Sequence, residues 1–291
     1  LNTSNLIITT INYIEDHLTE KLNLDVIANA LHYSKYYLHR IFSKRVGMTI
    51  HEYVQRRQLT EAAKLLAFSN KPILDIAILA GYDSQQAFTT IFKAMYKKTP
   101  LQFREDEQYY ALQLRFRFDD EYFREESKKE AEFGKKIRFA SEKDVDAWMN
   151  LVRLVIDGYP YLYEEEHMKV LRKCIAEGRA FIMTEGDTVI GNMMISYARE
   201  SIDFLGVHPL YRKQGIAKLF MEVVISEWLK INIISITTFR EGDKADTGYR
   251  KALKELGFAE AELLTEFGYP TQRMVLHSKQ LERGYNNDDS Y

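Results

Sequence analysis

Residues 75–104 read DIAILAGYDSQQAFTTIFKAMYKKTPLQFR, and the organisation of the first third of the chain follows from them. Ile73, Ile76, Ala77 and Ala80 have the apolar spacing of a short helix. Gly81 can take the left-handed backbone of a tight turn, and Asp83 or Ser84 can cap a second helix. Along that helix Phe88, Ile91, Phe92 and Met95 make one buried stripe. Gln85, Gln86, Thr89, Thr90 and Lys93 occupy the opposite face. Two short helices joined by a turn, with amide and small side chains outward, suit a DNA major groove, where Gln pairs well with adenine.

The unit occurs twice. A shift of 50 residues carries Asp25 onto Asp75, Ala30 onto Ala80 and Ser34 onto Ser84, then Ile41, Phe42 and Thr49 onto Ile91, Phe92 and Thr99. In the first copy Leu38, Ile41 and Phe42 face inward, Tyr36, His39, Arg40 and Ser43 face outward, and Gly47 stops the helix. His32 stands where the second copy has Gly81. Between the copies Thr49 can cap a helix over about 50–68, with Leu59, Ala62, Leu65 and Leu66 inward. Such a rod is roughly 28 Å long. One turn of B-DNA is about 34 Å, so a stiff helix of this length can set two recognition helices into successive major grooves. Residues 1–104 hold 13 Lys and Arg against 8 Asp and Glu, and the rest of the chain holds 27 against 34. A positive excess on the first part suits a phosphate backbone partner.

Three motifs give this part a family resemblance: S-x-x-x-L-x-R-x-F from Ser34 to Phe42, R-x-L-x-x-A-x-x-L-L from Arg57 to Leu66, and G-Y-x-S…F…F-K…P-x-x-[FY]-R closing at Arg104. Over about residues 5–104 the chain resembles the AraC/XylS class of transcriptional regulators. The resemblance implies base contacts by Tyr36, His39 and Arg40 from one helix and by Gln85, Gln86 and Thr90 from the other. Some members carry Arg where Thr90 stands, so the second helix here would read fewer bases or lean on phosphates.

Residues 105–136 are dense in charge and aromatics and poor in Gly, Pro and Ser, which predicts a structured connector packed on one domain. The alternation of Leu112, Leu114, Phe116 and Phe118 fits a strand, and 125–132 fits a solvated helix. From Ile137 onward strand and helix alternate. A first helix carries Val145, Trp148, Leu151, Val152 and Val155, a second lies around 165–176, and strands are expected at 180–184, 189–197 and 202–207. The next stretch, SIDFLGVHPLYRKQGIAKLFMEVVISEWLK, ends a strand at Val207, breaks at Pro209, and enters an amphipathic helix through Arg212-Lys213-Gln214-Gly215-Ile216-Ala217. Backbone N–H groups at a helix start are free, and Gly215 and Ala217 would let a pyrophosphate come close.

With its strand before and helix after, and with IISITTF and K-E-L-G-F later, this half resembles a GNAT-type N-acetyltransferase over about residues 136–278. The resemblance implies acetyl-CoA beside the strand ending at Val207. The backbone of Leu205 and Val207 would meet the pantetheine and acetyl group. Arg212, Lys213, Gln214, Gly215, Ile216 and Ala217 would meet the pyrophosphate. Many members have a general-acid Tyr four residues before a Gly-Phe pair; counting back from Gly257 gives Leu253, which cannot donate a proton. Tyr249, one turn earlier, and Tyr269, on a later segment, are the alternatives. Asp203 is the candidate general base, with a solvated strand-edge acid as the plainer account; His208 is more readily a turn residue. The loop IDGYPYLYEEEH would line the acceptor side. Tyr159, Tyr161 and Tyr163 with Glu164–Glu166 could favour a cationic amine, though a packed aromatic turn followed by an acidic helix start explains them as well.

The expected fold is therefore multi-domain: an all-α double helix-turn-helix DNA-binding domain over 1–106, a connector over 107–135, an α/β mixed-sheet GNAT-like domain over 136–280, and a polar tail over 281–291. With 46% apolar residues, 291 residues can bury two cores. No run of eighteen apolar residues spans a membrane, LNTSNLIITT lacks the form of a signal peptide, and no zinc-ligand spacing occurs. The single Cys174 rules out an internal disulfide and fits a cytoplasmic, nucleoid-associated protein. The expected partners are double-stranded DNA, acetyl-CoA and an unknown amine acceptor or effector, with no membrane. A sensor that binds acyl-CoA or a small molecule without turnover is the alternative to an enzyme.

Overall fold

The computed structural model describes residues 3–106, 109–116, 137–155, 164–186, 188–212, 214–224, 233–266 and 269–277. The chain divides into two compact units. The first is helical: α1 (Thr3–Asp16), α2 (Leu24–Ala30), α3 (Lys35–Val46), α4 (Ile50–Phe68), α5 (Ile73–Leu79), α6 (Gln85–Tyr96) and α7 (Pro100–Glu105). Its helix starts are set by the residues the repeat aligns. The side chains of Ser34 and Ser84 accept from the N–H groups of Tyr37 and Ala87. Thr49 and Thr99 form reciprocal capping boxes with Glu52 and Gln102. Both turns use a left-handed residue, Gly81 at φ 78° and His32 at φ 58°. At Gly81 a side chain would also press on Gln58, whose Nε2 donates to the carbonyls of Leu18 and Glu20. Leu38, Phe42, Leu59, Ala62, Leu66, Phe88, Phe92 and Met95 are buried as their spacing predicts, while Ile41, Leu65 and Ile91 stay half-buried.

A polar knot lies inside this unit. Arg57 donates to both carboxylate oxygens of Glu15 at 2.8 Å and to Glu61 at 2.9 Å, and the Arg57 and Glu15 side chains are 7% and 5% exposed. Burial opposes the charge on Arg57, but the hydrogen bonds and charge of Glu15 outweigh it and hold the guanidinium firmly protonated. The knot also fastens residues 109–116. Arg56 and Arg57 donate to the carbonyls of Leu112 and Gln113 at 3.2 and 3.0 Å, and Thr60 Oγ1 and Tyr53 Oη accept from the N–H groups of Gln113 and Phe116. The strand expected from Leu112, Leu114 and Phe116 is not formed in this segment. Side chains of α4 take up its backbone groups where a neighbouring strand would have done so, and Gln113 is buried along with Leu112 and Phe116. Phe118 and the helix expected at 125–132 lie outside the described residues.

The second unit is an α/β domain built on β1 (Ile137–Phe139), α8 (Val145–Val155), α9 (Glu164–Ala176), β2 (Ala180–Glu185), β3 (Thr188–Ser196), β4 (Ser201–Val207), α10 (Ile216–Val223), β5 (Ile233–Phe239), α11 (Tyr249–Glu255), β6 (Ala259–Glu266) and β7 (Tyr269–His277). Among the described residues the strands form one sheet in the order β1-β2-β3-β4-β5-β7-β6. All neighbours are antiparallel except β4 and β5. Ile190, Met193 and Ile195 pack with Ile216, Phe220, Met221, Val224 and Leu253 into one apolar core. Gly191 permits this: a Cβ there would fall 2.6 Å from the Phe220 ring and 2.9 Å from Ile216. Asp144 ties the start of the domain together, accepting from Arg138 and Ser141; these bonds, Arg138 first, hold its carboxyl well below the usual carboxylate range.

Candidate functional sites

The face of the helical unit expected to read bases is open to solvent. Tyr36, His39 and Arg40 on α3 and Gln85, Gln86 and Thr90 on α6 are all exposed, Tyr36 to 80%. Each set projects from a helix that a serine starts, and the repeat places Tyr36 like Gln86 and Arg40 like Thr90. Two residues are partly engaged. The Arg40 guanidinium lies 5.9 Å from the Tyr37 ring centroid, and Thr90 Oγ1 donates to the Gln86 carbonyl at 2.9 Å.

In the α/β unit β4 and β5 run parallel and share one registered pair, Ser201 with Ser235. Ser235 N–H donates to the Glu200 carbonyl at 2.9 Å beside that pair. Toward Val207 the two strands part, which leaves the β4 backbone around Leu205 and Val207 with β3 alone as its ladder neighbour among the described residues. The chain then turns through Pro209–Tyr211 and reaches α10 at Gly215, which sits at φ 81° with open space where a Cβ would be. Two parallel strands that part after one pair, a glycine cap and a free first turn fit an extended thiol nucleotide with its pyrophosphate at a helix N-terminus. Ile216 turns its side chain into the core, so only its backbone faces this start, while Gln214 is exposed and donates to the Leu210 carbonyl. Lys213 lies outside the described residues.

The structure separates the two candidate tyrosines. Tyr249 opens α11, and its Oη is 3.2 Å from Arg212 Nη2 and 3.4 Å from the Val155 carbonyl; the Arg212 guanidinium lies 5.6 Å from its ring centroid. Tyr249 therefore stands with the loop that precedes α10. Tyr269 is 3% exposed, packs edge-on to Phe239, and donates to the Asp243 carboxylate at 3.0 Å. Leu253 is a core residue. Asp203 accepts from Arg199 at 2.8 Å and Ser201 at 2.7 Å near the hairpin end of β4. His208 is buried and accepts from the Leu210 N–H; burial, helped by the Arg212 charge, pushes its pKa down to about 3, so it is neutral and serves the turn. Glu164 pairs with Arg153 in the acidic first turn of α9, and Tyr159, Tyr161 and Tyr163 lie outside the described residues. Cys174 is buried, which raises its thiol pKa. Sequence reasoning singled out neither Asn192 nor His167, although His167 ends the loop IDGYPYLYEEEH expected to line the acceptor side. Among the described residues no helix is long and apolar enough to cross a membrane.

Comparison with known proteins agrees with this division. A helix-turn-helix domain model matches residues 27–106, and the acetyltransferase (GNAT) family model matches residues 148–258. The probable transcription factor PqrA of Proteus vulgaris is 43% identical over 104 residues, which cover 35% of this chain and 85% of PqrA. The uncharacterized HTH-type transcriptional regulator YbfP of Bacillus subtilis is 43% identical over 95 residues, 33% of this chain and 32% of YbfP. A solved GNAT-family acetyltransferase from Bacillus cereus overlays 48% of this chain and 95% of its own length at 18% identity, with a TM-score of 0.40. The chain belongs to the AraC-type helix-turn-helix regulators, and its second half is a GNAT-family acetyltransferase domain.

Proposed function

We propose that this regulator carries a working enzyme, which transfers an acetyl group from acetyl-CoA to the amine of a small molecule or protein. One observation carries the reading: β4 and β5 share only the Ser201–Ser235 pair, beside a helix start that Gly215 leaves bare. Acetyl-CoA, when bound, supplies an acetyl group activated as a thioester. Leu205 and Val207 offer it the unpaired β4 backbone. Arg212, Lys213 and Gln214 and the first N–H groups at Gly215, Ile216 and Ala217 hold the pyrophosphate. Tyr249 holds a phenolic proton at Oη beside Arg212 and gives it to the departing thiolate. Asp203 takes the proton of the attacking amine through water, since Arg199 and Ser201 already hold its oxygens. In the helical unit Tyr36, His39 and Arg40 read one major groove and Gln85, Gln86 and Thr90 the next, set apart by the 19 residues of α4. Such a protein works in the cytoplasm, on the nucleoid.

The second reading is a sensor that binds acyl-CoA or an amine without turnover, and the burial of Leu253 at the usual acid position favours it. Calorimetric titration of acetyl-CoA into the full chain, followed by thiol release with a panel of amines, separates the two. The enzyme reading expects binding, amine-dependent thiol release, and a loss of roughly tenfold or more in kcat for Tyr249→Phe. Binding without thiol release for any amine makes the domain a sensor. Gly215→Val, which forces a β-branched residue to φ 81°, should weaken acetyl-CoA binding at least about tenfold. Unchanged affinity would mean that the pyrophosphate lies elsewhere.

A further inference from the structure

Asn192 sits mid-strand in β3 with none of its surface exposed, and neither its Oδ1 nor its Nδ2 has a hydrogen-bond partner. An unpaired buried amide is a standing cost to the fold, one that neighbours such as Ile190, Met193 and Met194 do not incur. Its amide lies over its register partner on β4, Gly206. A Cβ on Gly206 would overlap Asn192 Oδ1, and would come within 3.1 Å of the Phe204 ring and 3.2 Å of a Val155 methyl group.

A second polar group borders Phe204. His167 of α9 stands edge-on to Phe204, with ring centroids 5.4 Å apart, and its Nε2 is buried without a partner. Burial keeps the imidazole below its usual pKa against the opposing charge of Glu164, so near neutral pH the ring can accept a hydrogen bond. Val155 connects the cluster to the proposed proton donor, because its carbonyl is 3.4 Å from Tyr249 Oη.

We propose that Asn192 and His167 form the acceptor subsite of this domain and bind the N–H groups of a primary amine carried on an apolar body. The ligand class follows from the neighbours. Asn192 Oδ1 and His167 Nε2 are neutral acceptors, and Phe204 and Val155 supply ring and methyl surface. Two of the nearby carboxylates are already engaged, Asp203 with Arg199 and Glu164 with Arg153, and Glu165 and Glu166 are exposed. A polycation would need free carboxylates to replace its hydration; a monoamine with an aromatic or aliphatic body does not. The role of the subsite rests on the acetyltransferase reading, but the amine contact does not.

The test uses phenethylamine and spermidine as probes on the full chain, followed by saturation-transfer NMR, with coenzyme A titrated calorimetrically in parallel. Phenethylamine is expected to bind more tightly than spermidine. Asn192→Val and His167→Phe should each weaken it about tenfold or more while leaving coenzyme A affinity within about twofold. Asn192→Val should also melt no lower than the parent, since it removes a buried unpaired amide. Coenzyme A failing to bind while phenethylamine binds through Asn192 would remove the enzyme reading and uphold the amine site. The proposal is overturned if neither amine binds, if spermidine binds more tightly, or if both variants bind phenethylamine normally. It is equally overturned if Asn192→Val lowers the melting temperature and coenzyme A affinity together, because Asn192 would then be structural.

Discussion

Arg57 in the helical unit and Asn192 in the α/β unit are both buried polar side chains on a central element, and they are treated in opposite ways. Arg57 is gripped by Glu15, Glu61 and the Gln113 carbonyl, whereas Asn192 touches no polar partner at all. Gln58 and Thr60 follow Arg57, the one donating to Leu18 and Glu20, the other to the Arg56 carbonyl. His167 follows Asn192. The contrast separates two ways of supporting function. A unit that acts through its outer face uses interior polar groups to fix that face. On the proposal above, the α/β unit leaves Asn192 and His167 for a ligand to satisfy.

The largest expected effect breaks the first half of this contrast. Glu15→Ala leaves the Arg57 charge buried with one half-exposed partner, Glu61, and should destabilise the helical unit by about 3–5 kcal/mol. Both tryptophans of the sequence, Trp148 and Trp228, fall after residue 136, so their fluorescence should report an unchanged α/β unit while helical circular dichroism melts earlier. Joint loss of both signals would refute the separation of the two polar interiors. The next effect concerns the outer face. Arg40→Ala and Gln86→Ala should each cost about 1–3 kcal/mol in binding a specific operator, measured by fluorescence anisotropy, with much less lost on unrelated DNA. Equal losses on all DNA would show phosphate contact in place of base reading.

The third effect sharpens the other half of the contrast. His208 has a folded pKa near 3 against about 6.5 when unfolded, so between those values the unfolded chain binds the extra proton. Its contribution is fully present above pH 6.5 and falls with acidification. Moving from pH 7 to pH 5 should cost the α/β unit about 2 kcal/mol, seen as an earlier tryptophan transition. Asp144, with its depressed carboxyl, acts in the same direction only at lower pH. A transition that does not move between pH 7 and pH 5 would mean that His208 is hydrated.

Much of the helical unit was legible because its signals are local. Ser34, Thr49, Ser84 and Thr99 each cap the helix that follows them, and the 50-residue repeat fixes which stripe is inward. In the α/β unit β2 to β4 were also legible from their apolar runs. The site was less so. That β4 parts from β5 depends on strand order, with β7 lying between β5 and β6, and no spacing in the sequence records it. Asn192 is embedded in TVIGNMMIS, where nothing marks an amide as unpaired. Tyr249 and Tyr269 could be separated only by partners 37 and 26 residues distant, Arg212 and Asp243. The strand expected from Leu112, Leu114 and Phe116 is not formed for the same reason: alternation shows that a segment is half-buried, not what its backbone bonds to.

The fastening of residues 109–116 has a mechanical consequence. The last described residue of that segment, Phe116, is bonded through its N–H to Tyr53, and its predecessors to Arg56, Arg57 and Thr60, all on the first three turns of α4. Tension on the chain beyond Phe116 therefore first loads α4, the rod between α3 and α6. A pull there is felt as shear along one rod, so α3 and α6 at its two ends take up the load together.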